Sequence, residues 1–227
     1  MLFDQRKETA KRNNQLKTIA KKHSVNIEKE LPLTLGNEFG WIQIASGDKL
    51  GILKSKNVRR LSFLLSTISN EAEGPIRRFD DSDILYYFLG DPFKNFHRPY
   101  YAVIENHLVV ANNLSAIRRF LKNYENQDLL NRTDKNISFQ QYLSNQGNIF
   151  YFIHNSNSKS VISSYLNRDV YKDFKGENFN WKNMYGLSIQ FSADKDKFFT
   201  NLYMSKIPIP ETSSSSIDSL SLDTLLN

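Results

Sequence analysis

Four histidines, His23, His97, His107 and His154, are the first residues to test for chemistry. Two imidazoles bind one metal from a single helix when they stand on one face, as in His-x3-His. No two of these four are so spaced, and the sequence offers no metal site and no cofactor site. Asp80-Asp81-Ser82-Asp83 opens like an oxygen-rich cation loop. It lacks the glycine and the closing glutamate that such a loop needs, and Ile84-Leu85-Tyr86-Tyr87 follows instead. The expectation is that Asp80 or Asp81 caps a short helix from Asp83 to Leu89, where a cap contributes about 1 kcal/mol. Glu38, Glu71, Glu73 and Glu105 could form an acid–base pair only if the fold brings two together, which spacing does not reveal. No Gly-x-Ser-x-Gly elbow and no Gly-Lys-Ser/Thr phosphate loop occurs. The absence of cysteine excludes thiol nucleophiles, disulfides, Cys-ligated zinc and iron–sulfur clusters. No catalytic, cofactor-binding or metal-binding residue is assigned, and the balance points away from an enzyme.

Three arginine pairs, Arg59-Arg60, Arg77-Arg78 and Arg118-Arg119, would bind phosphates or an acidic partner if they shared one surface. In the two helical pairs they follow directly on a core position, which is where a solvated helix face begins. The aromatic runs Tyr86-Tyr87-Phe88, Tyr100-Tyr101 and Phe150-Tyr151-Phe152 hold few cations, so they read as core rather than as stacking platforms for single-stranded nucleic acid. The net charge of +6 is uneven. Residues 1–29 hold eight cations and three anions, leaving 22 cations against 21 anions in 30–227. The basicity therefore belongs to one end, and nucleic acid is not an expected partner of the body.

The elements that must position these residues follow from periodicity. Leu16, Ile19, Ala20 and His23 stripe a helix over 4–23 that is otherwise polar. Trp41 to Ile44 and Leu50 to Leu53 form a hairpin about Gly47, and Asn57 caps a helix marked by Val58, Leu61, Leu65 and Ile68. Tyr100 to Ile104 and Leu108 to Ala111 form a second hairpin, followed by a helix along Leu114, Ile117, Leu121 and Tyr124. Shifting the chain by 59 residues lays Trp41 on Tyr100, Gly47 on Asn106 and Arg59-Arg60 on Arg118-Arg119. Two strand–turn–strand–helix sub-repeats, about 38–70 and 97–129, are the reading. A third strand–helix pair spans Ile149 to Ile153 and Val161 to Leu166. A last hairpin joins the alternating Leu187-Ser188-Ile189-Gln190-Phe191 to Thr200-Asn201-Leu202-Tyr203. The fold class is α+β: a mainly antiparallel sheet of repeated strand–turn–strand–helix units with helices on one face. The organisation is a basic N-terminal helix at 1–29, an α+β domain at 30–205 and a Pro/Ser-rich linker or tail at 206–227. No run of 18 apolar residues occurs, so no transmembrane segment is expected.

Ile76-Arg77-Arg78-Phe79 with Leu85-Tyr86-Tyr87-Phe88-Leu89-Gly90-Asp91-Pro92-Phe93, and the stretch from Tyr100 to Asn112, resemble a family of uncharacterised cell-envelope proteins of Bacteroidetes-type bacteria. Asn148 to Phe152 and the hairpin from Gln190 to Tyr203 fit the same pattern, so the resemblance covers about 30–205. The resemblance implies α+β modules between a membrane anchor or signal and a propeller-like β domain, with no assigned catalytic residues. It implies a lipoprotein-like, extracytoplasmic structural or interaction module, a segment of a larger envelope protein. Its partners would be neighbouring domains of the same polypeptide or another envelope protein. Two alternatives stand beside it: an envelope enzyme whose acids meet only in the fold, and binding of an anionic surface or nucleic acid through residues 1–29.

Overall fold

No glycine or proline interrupts the chain before Pro32, and its first described element, from Leu2, is a helix. The computed structural model describes residues 2–145, 147–175 and 183–206, so most of the Pro/Ser-rich segment lies outside the described residues. Helix α1 (Leu2–His23) buries Leu16 and Ile19, the two best positions of its apolar stripe. Ser24, in left-handed backbone at φ 53°, ends it. Asn26 then starts α2 (Ile27–Thr34) by accepting from the Lys29 amide at 3.1 Å. Pro32 stops α2 within two residues, because it has no amide to give to the preceding turn.

The chain continues through β1 (Leu35–Gln43), β2 (Lys49–Ser55), α3 (Val58–Thr67), β3 (Ser69–Glu73), β4 (Ile76–Phe79) and α4 (Ile84–Leu89). Next come β5 (Tyr100–Ile104), β6 (His107–Ala111) and α5 (Leu114–Glu125). Gly47 turns the first hairpin at φ 86°, and Asn57 caps α3 by accepting from the Arg60 amide at 3.0 Å. The strands form one antiparallel sheet in the order β1-β2-β6-β5-β4-β3. With these elements the chain up to Arg132, together with Asn157–Tyr165, makes a first compact unit.

The α+β class with an antiparallel sheet is what the structure has, and it differs from expectation in one respect. Leu108 and Val110 of β6 join a core with α1, α2, α3 and α4. Val109 and Ala111 join a separate core with Ala116 and Ile117 of α5. Alternate residues of a strand point to opposite faces, so α5 covers the second face alone. The physical reason is that β5 and β6 are apolar at almost every position, and both faces must be buried. The element order β1-β2-α3 and β5-β6-α5 does repeat. Rotating one hairpin onto the other in the sheet plane would nevertheless leave both helices on one side, so the echo is one of order and not of symmetry.

Among the described residues the second compact unit comprises Thr133–Ser156 and the chain from Leu166 to Lys206, a boundary that falls inside the 30–205 segment. It holds α6 (Asp134–Gln140), β7 (Ile149–His154), α8 (Arg168–Lys175), β8 (Met184–Asp194) and β9 (Lys197–Lys206). Helix α7 (Asn155–Tyr165) starts at the boundary. Strands β7, β8 and β9 make a three-stranded antiparallel sheet in that order.

Candidate functional site

The residues that carry chemistry are mostly occupied by local structure. His23 meets an oxygen with each ring nitrogen: the Thr67 carbonyl at 3.0 Å and Asp81 Oδ2 at 2.6 Å. Burial raises the Asp81 carboxyl, but hydrogen bonds from Lys22 and His23 outweigh it and hold the group below its ordinary value. Asp80 is bonded by the Asn70 amide, so neither Asp80 nor Asp81 caps α4. The N-cap is Asp83, in left-handed backbone at φ 58°, and its carboxylate goes to His97 Nδ1 at 2.7 Å instead of to the helix. Glu38 pairs with Lys54 at 2.8 Å, Glu71 with Arg77 at 3.2 Å and Glu73 with Arg118 at 2.5 Å. Glu105 accepts from the Tyr124 hydroxyl at 2.5 Å. No group of three metal-ligating side chains forms among the described residues. Of the arginines, Arg60 holds Glu30, Arg77 bridges Ser69 and Glu71, and Arg78 lies over the Tyr100 ring at 4.9 Å. They serve separate local contacts. A cavity of about 350 Å3 lies beside α5 on the second sheet face, lined by Ile42, Ile52, Ile104, Val109 and Phe120. Its ionisable groups are Glu105, His107 and Tyr124, and the bond to Glu105 pushes the Tyr124 phenol up, so the tyrosine is no base.

The second unit presents the feature that stands out. Phe139 of α6 lies against Phe152, Tyr185 and Tyr203, with ring centroids 5.1, 5.5 and 4.8 Å away. That fixes which face of the small sheet α6 covers. Gln190 is on this face, and its amide clamps the Ser144 backbone, accepting from the amide at 2.8 Å and donating to the carbonyl at 2.9 Å. Ser188 is also buried here, and its hydroxyl has no partner among the described residues. Burial pushes the Tyr185 and Tyr203 phenols above their ordinary value, so both pack as neutral groups, and the Tyr185 hydroxyl donates to Asn136 Oδ1 at 3.1 Å. Gly186 belongs to the same layer: a Cβ there would stand 2.9 Å from both the Ile153 carbonyl oxygen and the Phe152 ring.

The opposite face is apolar and largely open: Tyr151, Phe191, Leu202 and Phe198 are exposed, and Ile153, Leu187 and Ile189 are half-buried. Register puts Ile149, Tyr151 and Ile153 of β7 beside Phe191, Ile189 and Leu187 of β8. It then puts Leu187, Ile189, Phe191 and Ala193 beside Met204, Leu202, Thr200 and Phe198 of β9. Eleven positions thus carry one hydroxyl besides the Tyr151 phenol, and no charge. Leu202 is 66% exposed, Phe198 85% and Tyr151 57%. The alternation read in the sequence, Leu187-Ser188-Ile189-Gln190-Phe191, is therefore real but reversed. Its polar members face the covering helix and its apolar members face outward. Sequence reasoning found these strands without finding the surface, because alternation separates two faces and does not say which one the chain covers.

No family model, no curated protein and no solved structure matches this chain. No helix among the described residues is long and apolar enough to cross a membrane.

Proposed function

We propose that this protein is a non-catalytic interaction module whose second unit completes its core against another polypeptide surface. The observation that carries this reading is the reversed strand β8, with Ser188 and Gln190 buried while Leu187, Ile189 and Phe191 lie on the open face. A sheet that faces water on one side normally turns its polar residues to that side. Burial stabilises by about 25 cal/mol per Å2 of apolar surface, so a face of this composition gains by being covered. The partner surface is itself apolar and uncharged, a second sheet layer or the stripe of an amphipathic helix. The outer edge of β9, which pairs with no described strand, adds unpaired amides and carbonyls to the contact. The resemblance to Bacteroidetes-type cell-envelope proteins supports an extracytoplasmic setting and a partner that is a neighbouring domain or another envelope protein.

A photo-crosslinking residue at Leu202 or Tyr151, introduced in the native cell, tests the reading. Both positions are expected to yield the same discrete adduct, and the exposed Lys122 of α5 none. Absence of an adduct from the sheet face, or the same adduct from all three sites, refutes the proposal.

A further inference from the structure

A cleft of about 460 Å3 in the first unit, between α1 and the start of α4, has a one-sided hydrogen-bond balance. Its two carboxylates are engaged. Glu8 accepts from the Tyr86 hydroxyl, and Asp83 is held on the His97 imidazole. The backbone amide of Asp83 also donates to the His97 carbonyl, so the left-handed residue and the imidazole are tied at two points.

The cations are placed without a carboxylate partner among the described residues. Arg12 Nε donates to the Tyr87 carbonyl at 3.2 Å, and its guanidinium lies 5.5 Å from the Tyr86 ring centre. A Cβ on Gly90 would touch both terminal nitrogens of Arg12 at 3.4 Å, so the glycine leaves the guanidinium its space. Lys94 sits on the same tyrosine ring, its ammonium 6.0 Å from the centroid. Lys11 completes the wall from α1. Among the described residues, neither lysine ammonium is in an ion pair, and the terminal nitrogens of Arg12 have no acceptor. Three cations against two carboxylates leave the cleft net positive, with charged donors that have no protein acceptor among the described residues, which complements an acceptor-rich anion. A guanidinium offers paired N–H groups to two oxygens at once, while lysines add point charge around them.

We infer that this cleft binds a phosphate monoester through Arg12, Lys94 and Lys11. The contact is independent of the open sheet face. Calorimetric titration of the full chain with inorganic phosphate and with glycerol phosphate is the test. Saturable binding is expected, weakened about tenfold by Lys94→Ala and similarly by Lys11→Ala, each removing one charge-assisted hydrogen bond. Both lysines are exposed, so these variants keep the fold. Lys17→Ala removes an equal charge from α1 outside the cleft and leaves the affinity unchanged. Absence of saturable binding overturns the inference, as does a Lys17→Ala effect equal to that of Lys94→Ala. Vesicles of phosphatidylcholine with and without phosphatidic acid separate the sources. Retention that needs phosphatidic acid and Lys94 assigns a lipid headgroup. Binding of glycerol phosphate without retention assigns a free ester.

Discussion

The two sheets of this molecule are built from the same kind of hairpin and treat their faces oppositely. In the first unit, adjacent residues of β6, Leu108 to Ala111, are all buried, because α1 to α4 cover one face and α5 the other. In the second unit, adjacent residues of β8 part company: Ser188 and Gln190 are buried under α6, and Phe191 is exposed. A continuous apolar run signals two covered faces, and the first unit supplies both covers from within the chain. A strict alternation signals one covered face, and on β8 the helix α6 lies over the polar members, beside Phe152, Tyr185 and Tyr203. The apolar members of β8, with Leu187 and Ile189 half-buried and Phe191 exposed, lie opposite that helix.

The largest expected effect comes from putting a charge where the first unit is closed. Val109→Asp places a carboxylate in the apolar cluster under α5, and should cost on the order of 4 kcal/mol in urea unfolding. A cost below about 1 kcal/mol would mean that α5 does not seal the second face. Next in size is Gly186→Ala on the covered face of the second unit. The added methyl meets the Ile153 carbonyl oxygen and the Phe152 ring at 2.9 Å, and backbone cannot yield as a flexible side chain can. Overpacking of this kind costs about 1–3 kcal/mol. The loss should appear in tyrosine fluorescence of the second unit, since Tyr185 and Tyr203 pack in the same layer. An unchanged midpoint would show that α6 does not hold that layer tightly.

Most of the first sheet was legible. The hairpin from Tyr100 to Ala111 and the helices starting at Val58 and Leu114 follow from apolar periodicity, because each makes its own pattern from consecutive residues. Strand β3 was not legible: Ser69-Asn70-Glu71-Ala72-Glu73 has no apolar rhythm, and it is a strand because Arg77 on β4 ties Ser69 and Glu71 across the pair. Helix α2 was hidden by Pro32, which reads as a break and acts as a stop. The cleft at Arg12 was illegible for another reason. Its parts lie at 8–12, 83–87 and 94–97, and only the packing of α1 on α4 joins them. Asp83 was expected inside the short helix, but its choice of His97 over the helix amides depends on a loop fourteen residues on.

Acid should weaken the first unit through Asp81. Its carboxyl is held below the ordinary value of 3.8, despite burial, by hydrogen bonds from Lys22 and His23. A depressed folded value means that the contribution is full above about pH 4 and is lost as the pH falls through that lower value. The pair also ties the end of α1 to the segment before α4, and His23 carries the tie on to the Thr67 carbonyl after α3. Asp81→Asn should lower stability near pH 7 and flatten its dependence on pH below about 4. Urea midpoints across that range measure both. A variant whose pH profile matches the parent would remove Asp81 as the source.

The smallest expected effect on stability is the most informative for the comparison. Leu202→Lys puts a charge at the middle of the open face, beside Ile189, where the leucine is 66% exposed. Substitution of an exposed residue away from any cap, pair or turn moves stability within about 0.5 kcal/mol. The isolated chain should therefore unfold at nearly the same urea concentration as the parent, while binding of an apolar dye and the adduct from Tyr151 both fall. A loss approaching that of Val109→Asp would show that the face is covered within the chain itself, and the two sheets would then be alike. An unchanged midpoint with an unchanged Tyr151 adduct would leave the face open and move the contact to the edge of β9. That outcome would still separate the two sheets, because both faces of β6 stay buried in the first while the face of β8 opposite α6 stays open.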